Sequence, residues 1–213
     1  MNTIKNNNVY FNARNPKIRF ADDIARNVNR VFPRISPTKV ETFNKASWYE
    51  EDLLEELWGK LLLLRIELRT MKDLSLLSDK INFLFDSIKK HRIGNCGEAA
   101  DLALIAAKTN GIENCIRAHL ETPRGESFDH AVVLINDEKP YIIDAWLGFA
   151  DYIPNAIKKY QTIFRNCFDF NDMGEKIVIK EVENIFNEDF SIEELKKIQK
   201  AHPKIILKRC LKK

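Results

Sequence analysis

Hydrophobic residues in the first half of the chain recur at steps of three and four positions, the spacing of one face of an α-helix. From residue 48 onward this spacing predicts one helix, and a second helix follows that ends near the sequence HRIG at residues 91–94. The two stripes consist of Leu53, Leu54, Leu57, Trp58, Leu61 and Leu64 in the first helix and of Leu77, Ile81, Leu84, Phe85 and Ile88 in the second.

The segment of residues 96–108 has almost no polar face. Alanine, leucine and isoleucine fill most positions after Glu98, and a helix that is apolar all round is a buried one. We therefore predict a buried helix that begins at Cys96. The sequence TNG at residues 109–111 ends it, because Asn and Gly tolerate a positive φ.

After residue 111 the hydrophobic period changes to two, which is typical of β-strands. Helices that precede an antiparallel sheet packed on the buried helix indicate an α+β fold. A capping box of Ser191 and Glu194 predicts one more helix, which ends at about Lys200. The other predicted elements are strands at residues 114–121, 130–135 and 139–146, a helix at 154–164 and a short strand at 175–182.

The first 47 residues differ in composition from the rest. They are rich in Asn, Lys and Arg and contain Pro16, Pro33 and Pro37. We predict a partly irregular N-terminal extension with a short helix at residues 22–31, and a single domain over residues 48–213. The Asn- and Lys-rich start has two open interpretations, a secretion-system signal for delivery into a host cell or the codon bias of an AT-rich genome.

Composition and charge exclude several classes of function. The formal net charge of +3 on 213 residues is nearly balanced, so no large basic surface for nucleic acid is expected. The longest apolar run, LLLL at residues 61–64, is too short to cross a membrane. Four widely spaced cysteines without a Cys-x-x-Cys pair indicate reduced thiols in a reducing, cytoplasmic compartment. The oligomeric state is left open.

Cys96 stands where a helix N-terminus would lower the pKa of its thiol, because unpaired N–H groups and aligned peptide dipoles favour a thiolate. Gly94 and Gly97 leave space beside the sulfur for a planar carbonyl group. Backbone N–H groups of the same turn could hold a developing oxyanion. The negative charge of Glu98 acts against the thiolate.

A nucleophilic thiol needs a base, and the base needs an orienting partner. His130 begins a predicted strand, and Asp144 ends the next one. If the connection is an odd-numbered loop such as residues 137–139, Asp144 faces Val132 on the sheet face of His130. Diagonal neighbours of this kind lie roughly 7–8 Å apart, within reach of two side chains. The same register places Trp146 opposite His130, whereas an even loop would turn Asp144 to the other face.

The ordered set of Cys96 opening a buried helix, His130 on a strand and Asp144 on the next strand resembles the papain-like and transglutaminase-like cysteine enzymes. The sequence DAWLG is similar to the Asn-Ser-Trp-Gly of papain-like proteases. This similarity implies that Asp144 orients the histidine and that Trp146 shields the pair. GNCGE followed by a His strand and an Asp-x-Trp also resembles bacterial toxin and effector domains that cleave proteins or deamidate glutamine.

The resemblance implies a thiol hydrolase or acyl transferase that acts on a peptide bond or a glutamine side chain of a protein, with no cofactor and no metal. Papain-like proteases carry a glutamine shortly before the nucleophile, and the sequence KKHRI has none here. Asn95 or a backbone N–H is the expected substitute as oxyanion donor. Peptidase, deamidase and transglutaminase activities stay open.

Two other interpretations stay open. A protein-binding module on the same fold without catalysis is one alternative, and the absent glutamine favours it. A zinc site built from Cys96, Cys115, His119 and His130 is the other, although their spacing fits no usual zinc pattern.

Overall fold

The predicted α+β class is confirmed. The structure, a computed structural model, describes residues 15–32, 34–43, 48–121, 129–164 and 177–205. This part of the chain contains seven α-helices and one open antiparallel sheet with the strand order β4-β3-β2-β1-β5. The elements are α1 (Pro16–Val31), α2 (Pro37–Phe43), α3 (Trp48–Arg69), α4 (Leu77–His91), α5 (Cys96–Thr109), β1 (Cys115–Glu121), β2 (Asp129–Ile135), β3 (Tyr141–Asp144), β4 (Phe149–Tyr152), α6 (Ile153–Ile163), β5 (Val178–Glu181) and α7 (Ile192–Ala201).

Helix α5 is the buried helix that the apolar run predicts. Residues 102–107 are 0% exposed, and the helix packs against β2, β1 and α1. Burial from several directions explains why the sequence leaves α5 no polar stripe. The N-terminus of α5 lies at the edge of this core, where Cys96 is only half-buried.

The register between β2 and β3 agrees with an odd-numbered connection. Ile135 pairs with Tyr141 and Val133 pairs with Ile143. Extending this register by one residue places Asp144 opposite Val132. Because side chains alternate between the two faces of a strand, Val132 and His130 share one face of the sheet, and Asp144 lies on that face too.

Strand β3 is shorter than the sequence pattern predicts, because it ends at Asp144 instead of residue 146. The chain turns there, with the Gly148 N–H donating to the Asp144 carbonyl at 2.8 Å. Gly148 has a φ of +79°, which glycine adopts without strain. The chain then returns as β4, a strand that the alternation pattern did not predict, with Phe149 opposite Asp144.

Helix α1 is longer than the predicted helix of residues 22–31. It begins at Pro16, and the Asn15 side chain accepts a hydrogen bond from the Lys17 N–H at 2.9 Å. An Asn cap followed by Pro at the first helical position is a favourable helix start. One face of α1 belongs to the common hydrophobic core through Ile18, Ala21, Ile24, Ala25 and Val28. The predicted boundary at residue 47 falls on residues 44–47, outside the described residues.

The C-terminal elements follow the predicted order. Helix α6, strand β5 and helix α7 each lie within a few residues of their predicted bounds. The capping box of α7 is present, with the Ser191 N–H donating to Glu194 Oε2 at 2.9 Å and the Glu194 N–H donating to Ser191 Oγ at 3.2 Å. Among the described residues, no helix has both the length and the apolar character needed to span a membrane.

Candidate active site

The three residues predicted to act together converge at one place. Cys96 is the first residue of α5, His130 lies near the start of β2, and Asp144 ends β3. His130 Nε2 and Asp144 Oδ2 are 2.7 Å apart, and the two residues are 3% and 0% exposed. The thiol of Cys96 hydrogen-bonds with the His130 side chain and with the backbone of Ala131. Because Nε2 is held by Asp144, Nδ1 is the nitrogen left for the thiol.

Asp144 is held by more than the histidine. Its Oδ1 accepts a hydrogen bond from the Leu147 N–H at 2.8 Å, and its Oδ2 accepts one from the Tyr160 hydroxyl at 3.0 Å. Burial raises the pKa of Asp144, but the charge and hydrogen bond of His130 outweigh it. Together with the hydrogen bonds from Leu147 and Tyr160, the charge and hydrogen bond of His130 keep the pKa of Asp144 below its ordinary value of 3.8. The carboxylate is therefore charged and fixed in orientation.

The same contacts favour an ion pair between the thiol and the imidazole. Burial lowers the pKa of His130, but the charge and hydrogen bond of Asp144 and the contact with Cys96 raise it from 6.5 to about 10. Burial raises the pKa of Cys96, but the hydrogen bond and charge of His130 and the Ala131 backbone bring it below 9.0. At Cys115, burial outweighs the charge of Lys108 and raises the pKa of the thiol to about 11.

Glu98 is less unfavourable to the thiolate than its position in the sequence suggests. Its Oε2 accepts the Asn95 N–H at 2.8 Å, and its Oε1 accepts Arg65 Nε at 3.1 Å. The carboxylate is therefore partly neutralised by a cation and by the helix N-terminus. Its effect on the pKa of Cys96 is smaller than that of His130.

Aromatic rings enclose the imidazole of His130. The ring centroids of Trp146, Tyr160 and Phe164 lie 5.2, 5.5 and 6.3 Å from the centroid of His130. Trp146 reaches this position from the turn after β3, not from a paired strand position. Its indole N–H donates to Ser36 Oγ at 2.9 Å. The rings keep water away from the pair of His130 and Asp144, which strengthens their electrostatic interaction.

The side chain of Asn95 hydrogen-bonds with Ser36, the residue before α2, and with Thr38 in the first turn of α2. Asn95 Oδ1 accepts Ser36 Oγ at 2.6 Å, and Asn95 Nδ2 donates to Thr38 Oγ1 at 2.8 Å. These bonds fix the start of α2 against the start of α5. The oxyanion role of Asn95 stays a prediction, and the described contacts show this amide in an anchoring position.

The glycines beside the thiol admit two arginine side chains. A Cβ at Gly94 would lie 3.0 Å from Cδ of Arg34, and a Cβ at Gly97 would lie 3.0 Å from Nη2 of Arg117. Arg117 also pairs with Asp101 at 3.1 Å. Part of the space that the sequence suggested for a substrate carbonyl is therefore filled by these side chains.

Sequence reasoning missed Tyr160 and Ser36. Tyr160 had a local signal, because it lies four residues after Ala156 and four before Phe164 on one face of a predicted helix. A tyrosine on a buried helix face needs a partner for its hydroxyl. Ser36 had no such signal, because its contact with Trp146 joins positions 110 residues apart.

The zinc interpretation has no geometric counterpart in the described part of the chain, where no three His, Cys, Asp or Glu side chains form a group able to hold a metal ion. Nδ1 of His119 lies 2.8 Å from Asp129 Oδ1, and the Cys115 thiol donates to the Ile112 carbonyl at 3.3 Å. Two members of the imagined zinc site therefore have other partners. Cys167 and Cys210 lie outside the described residues.

Comparison of the chain with protein-family models, with curated proteins and with solved structures gave no match.

Proposed function

We propose that this protein is a thiol-dependent hydrolase or acyl transferase that acts on a carboxamide of a protein substrate. Cys96 is the nucleophile, His130 the acid and base, and Asp144 the group that orients His130. The observation that carries the proposal is the 2.7 Å bond between His130 Nε2 and the fully buried Asp144, together with the Cys96 thiol on the other side of the same imidazole. A nucleophile, a base and an orienting acid in this order are the requirements of covalent acyl transfer.

The first half-reaction forms a thioester. The Cys96 thiolate attacks the carboxamide carbon, a C–S bond forms, and the carbonyl π electrons move to the oxygen. The tetrahedral oxyanion then collapses and the C–N bond breaks. His130 donates its Nδ1 proton to the leaving nitrogen, which departs as ammonia or as an amine.

The second half-reaction releases the acyl group. His130, now neutral, takes a proton from water, and the resulting hydroxide attacks the thioester carbon. The C–S bond breaks, a carboxylic acid leaves, and Cys96 is again a thiolate beside protonated His130. A primary amine in place of water would give a new amide, so the acceptor decides between hydrolysis and transamidation.

The resemblance to papain-like and transglutaminase-like enzymes supports the same function and a fold of that kind. Cys96 at the start of a buried helix, next to an antiparallel sheet that supplies His130 and Asp144, agrees with it. On this basis the chain is a bacterial effector that works in a reducing cytoplasm, including that of a host cell. The chemistry derived from Cys96, His130 and Asp144 uses no cofactor.

A binding module without catalysis is the second candidate. The engagement of the Asn95 amide by Thr38 and Ser36 favours it, because that amide is the side chain expected to stabilise an oxyanion. Backbone N–H groups at the start of α5 could do so in its place, as in other acyl-transfer sites.

The two candidates differ in what they do to proteins. A eukaryotic cell extract is treated with wild-type protein or with the Cys96→Ser variant, and peptides are compared by mass spectrometry. We expect changes only with the wild-type protein. Glutamine converted to glutamate would identify a deamidase, new chain ends a peptidase, and glutamine–lysine cross-links a transglutaminase. Identical peptide sets from the two treatments would contradict the enzymatic proposal.

A further inference from the structure

A small cavity shares Trp146 with the surroundings of the candidate triad. It has a volume of about 190 Å³ and is lined by Asn29, Arg34, Ser36, Lys39 and Trp146. Two contacts tie it to the catalytic residues. The Trp146 ring packs 5.2 Å from His130, and Ser36 bonds to Asn95, the residue before Cys96. Arg34 of the cavity is also near enough to Cys96 for their charges to interact, so a group seated there would lie near an acyl group at the thiol. We call it the Arg34–Lys39 cavity.

The two cations of this cavity lack acidic partners among the described residues. Nη1 of Arg34 donates to the Phe32 carbonyl at 3.0 Å, while its buried Nε has no hydrogen-bond partner in that part of the chain. Nζ of Lys39 donates to the Trp146 carbonyl and lies 5.0 Å from the centroid of the Trp146 ring. Both groups keep donors for a further acceptor, since a guanidinium has five N–H bonds and an ammonium three.

The acidic residues whose charges act on these cations already have partners. Asp144 is held by His130 at 2.7 Å, and Glu98 is held by Arg65 at 3.1 Å. Burial lowers the pKa of Arg34 to about 10. Burial and the charge of Arg34 lower the pKa of Lys39, which shows that the two charges oppose each other. The charges of Glu98, Asp144 and Cys96 raise the pKa of Arg34, and that of Asp144 raises the pKa of Lys39, but burial outweighs them. An anion bound between the two cations would offset more of the cost of burying them.

We propose that the Arg34–Lys39 cavity binds the carboxylate of an acidic side chain of the protein substrate, next to the carboxamide that Cys96 attacks. This rests on the proposed function, because it assigns the substrate a sequence preference for Asp or Glu near the reacting group. The size is adequate, since a cavity of about 150 Å³ can hold a benzene molecule. Charge-assisted bonds from two cations would give both affinity and orientation.

The test compares two alkylating reagents that differ only in charge. N-iodoacetyl-glutamate amide carries a side-chain carboxylate, and N-iodoacetyl-glutamine amide is its neutral counterpart of nearly equal shape. Rate constants for modification of Cys96 are measured by mass spectrometry at neutral pH. We expect the acidic reagent to react about tenfold faster with the wild-type protein, the size of one charge-assisted hydrogen bond.

Substitutions test whether the preference of Cys96 for the acidic reagent comes from the Arg34–Lys39 cavity. Lys39→Gln and Arg34→Gln should each bring the ratio of the two rate constants toward one. Lys200→Gln, at an exposed position of α7, changes the net charge equally and should leave the ratio as in the wild type. Circular dichroism checks folding, and if Arg34→Gln does not fold, Lys39→Gln decides. Equal rates with the wild-type protein, or a preference that survives these substitutions, would overturn the proposal.

The test of the Arg34–Lys39 cavity and the test of the proposed function can fail independently of each other. The ratio of two reagents at one thiol reports the cavity and is independent of how reactive that thiol is. The reactivity of Cys96 in the wild type relative to that in His130→Ala, measured with neutral iodoacetamide, reports the activation by His130. Either result can fail while the other holds.

Discussion

The imidazole of His130 is bound on Nε2 by Oδ2 of Asp144 at 2.7 Å, across 14 residues of sequence. This bond determines which nitrogen of His130 faces the Cys96 thiol. The two partners are almost completely buried, so the interaction is little screened by solvent.

Replacing Asp144 by Asn should reduce the reactivity of Cys96. An amide in place of the carboxylate removes the charge that favours the imidazolium, and its NH2 group favours the tautomer with the proton on Nδ1. We expect the iodoacetamide rate at Cys96 near pH 7 to fall about tenfold or more, because an ordinary thiol is only a few per cent ionised there. The free energy of unfolding should fall by about 1–3 kcal/mol.

Asp137→Asn is the matched control for this change. Asp137 pairs with Lys17 at an exposed position, and such pairs contribute about 0–1 kcal/mol. This control should leave the reactivity of Cys96 unchanged. Wild-type reactivity of Cys96 in Asp144→Asn would show that Asp144 does not act through His130.

Replacing Tyr160 by Phe should weaken the support of Asp144. The variant keeps the ring that packs 5.5 Å from His130 and removes only the hydroxyl that donates to Asp144 Oδ2 at 3.0 Å. A hydrogen bond to a charged group contributes about 1.5–3 kcal/mol, so unfolding by urea should show a loss in that range. The iodoacetamide rate at Cys96 should fall less than in Asp144→Asn, since the carboxylate stays.

Tyr152→Phe provides the control for that variant. Its hydroxyl accepts a bond from Asn15 Nδ2 at 3.0 Å at an exposed position, and its loss should change stability by less than about 0.5 kcal/mol. If Tyr160→Phe and Tyr152→Phe lower the free energy of unfolding by the same amount, the bond from Tyr160 to Asp144 contributes no more than an exposed hydrogen bond does.

Replacing Ser36 by Ala should destabilise the part of the protein around Trp146. Ser36 Oγ accepts the Trp146 indole N–H at 2.9 Å and donates to Asn95 Oδ1 at 2.6 Å. Its removal leaves these two buried groups, and the Lys39 N–H that donates to Ser36 Oγ at 3.2 Å, with one partner fewer, which costs about 1–3 kcal/mol. Thiol reactivity should also fall, because Trp146 packs on His130. Thiol kinetics and urea unfolding measure the two effects.

The control for Ser36→Ala is Thr162→Ala. Thr162 Oγ1 donates to the Lys158 carbonyl on the exposed face of α6, and surface changes of this kind stay within about 0.5 kcal/mol. A loss in Ser36→Ala no greater than in Thr162→Ala would show that the bonds through Ser36 do not hold Trp146 in place.

The pairing of His130 with Asp144 could be predicted from the sequence because this pairing depends on local properties of the chain. The apolar run after Cys96 predicts a buried helix, and the parity of the connection between β2 and β3 decides whether Asp144 shares a face with His130. Both are properties of consecutive residues. The end of β3 was missed because a turn at Gly148 competes with the strand pattern, and the pattern alone does not show which prevails.

Long-range contacts were beyond sequence reasoning. Ser36, Arg34 and Lys39 come from a segment predicted to be an irregular extension, and nothing in its local pattern indicates that it packs on Trp146. Helix α1 was underestimated at its N-terminus, although Asn15 before Pro16 is a recognisable start signal. Contacts of this kind depend on how elements pack, which a single sequence does not specify.

The central claim is that His130 holds Cys96 as a thiolate, and the pH dependence of its alkylation tests this most directly. The iodoacetamide rate is measured from alkaline to acid pH at Cys96 and at Cys115 of the same molecule, in the wild type and in His130→Ala. The hydrogen bond and charge of His130 bring the pKa of Cys96 below 9.0, whereas burial raises that of Cys115 to about 11. Thiolate, and with it the alkylation rate, is lost as the pH falls through each pKa.

We therefore predict that Cys96 of the wild type stays reactive at a pH where Cys115 no longer reacts. In His130→Ala the half-buried Cys96 loses its counterion, its pKa rises, and its reactivity should disappear at a higher pH than in the wild type. Wild-type and His130→Ala proteins with the same pH profile at Cys96 would contradict the account.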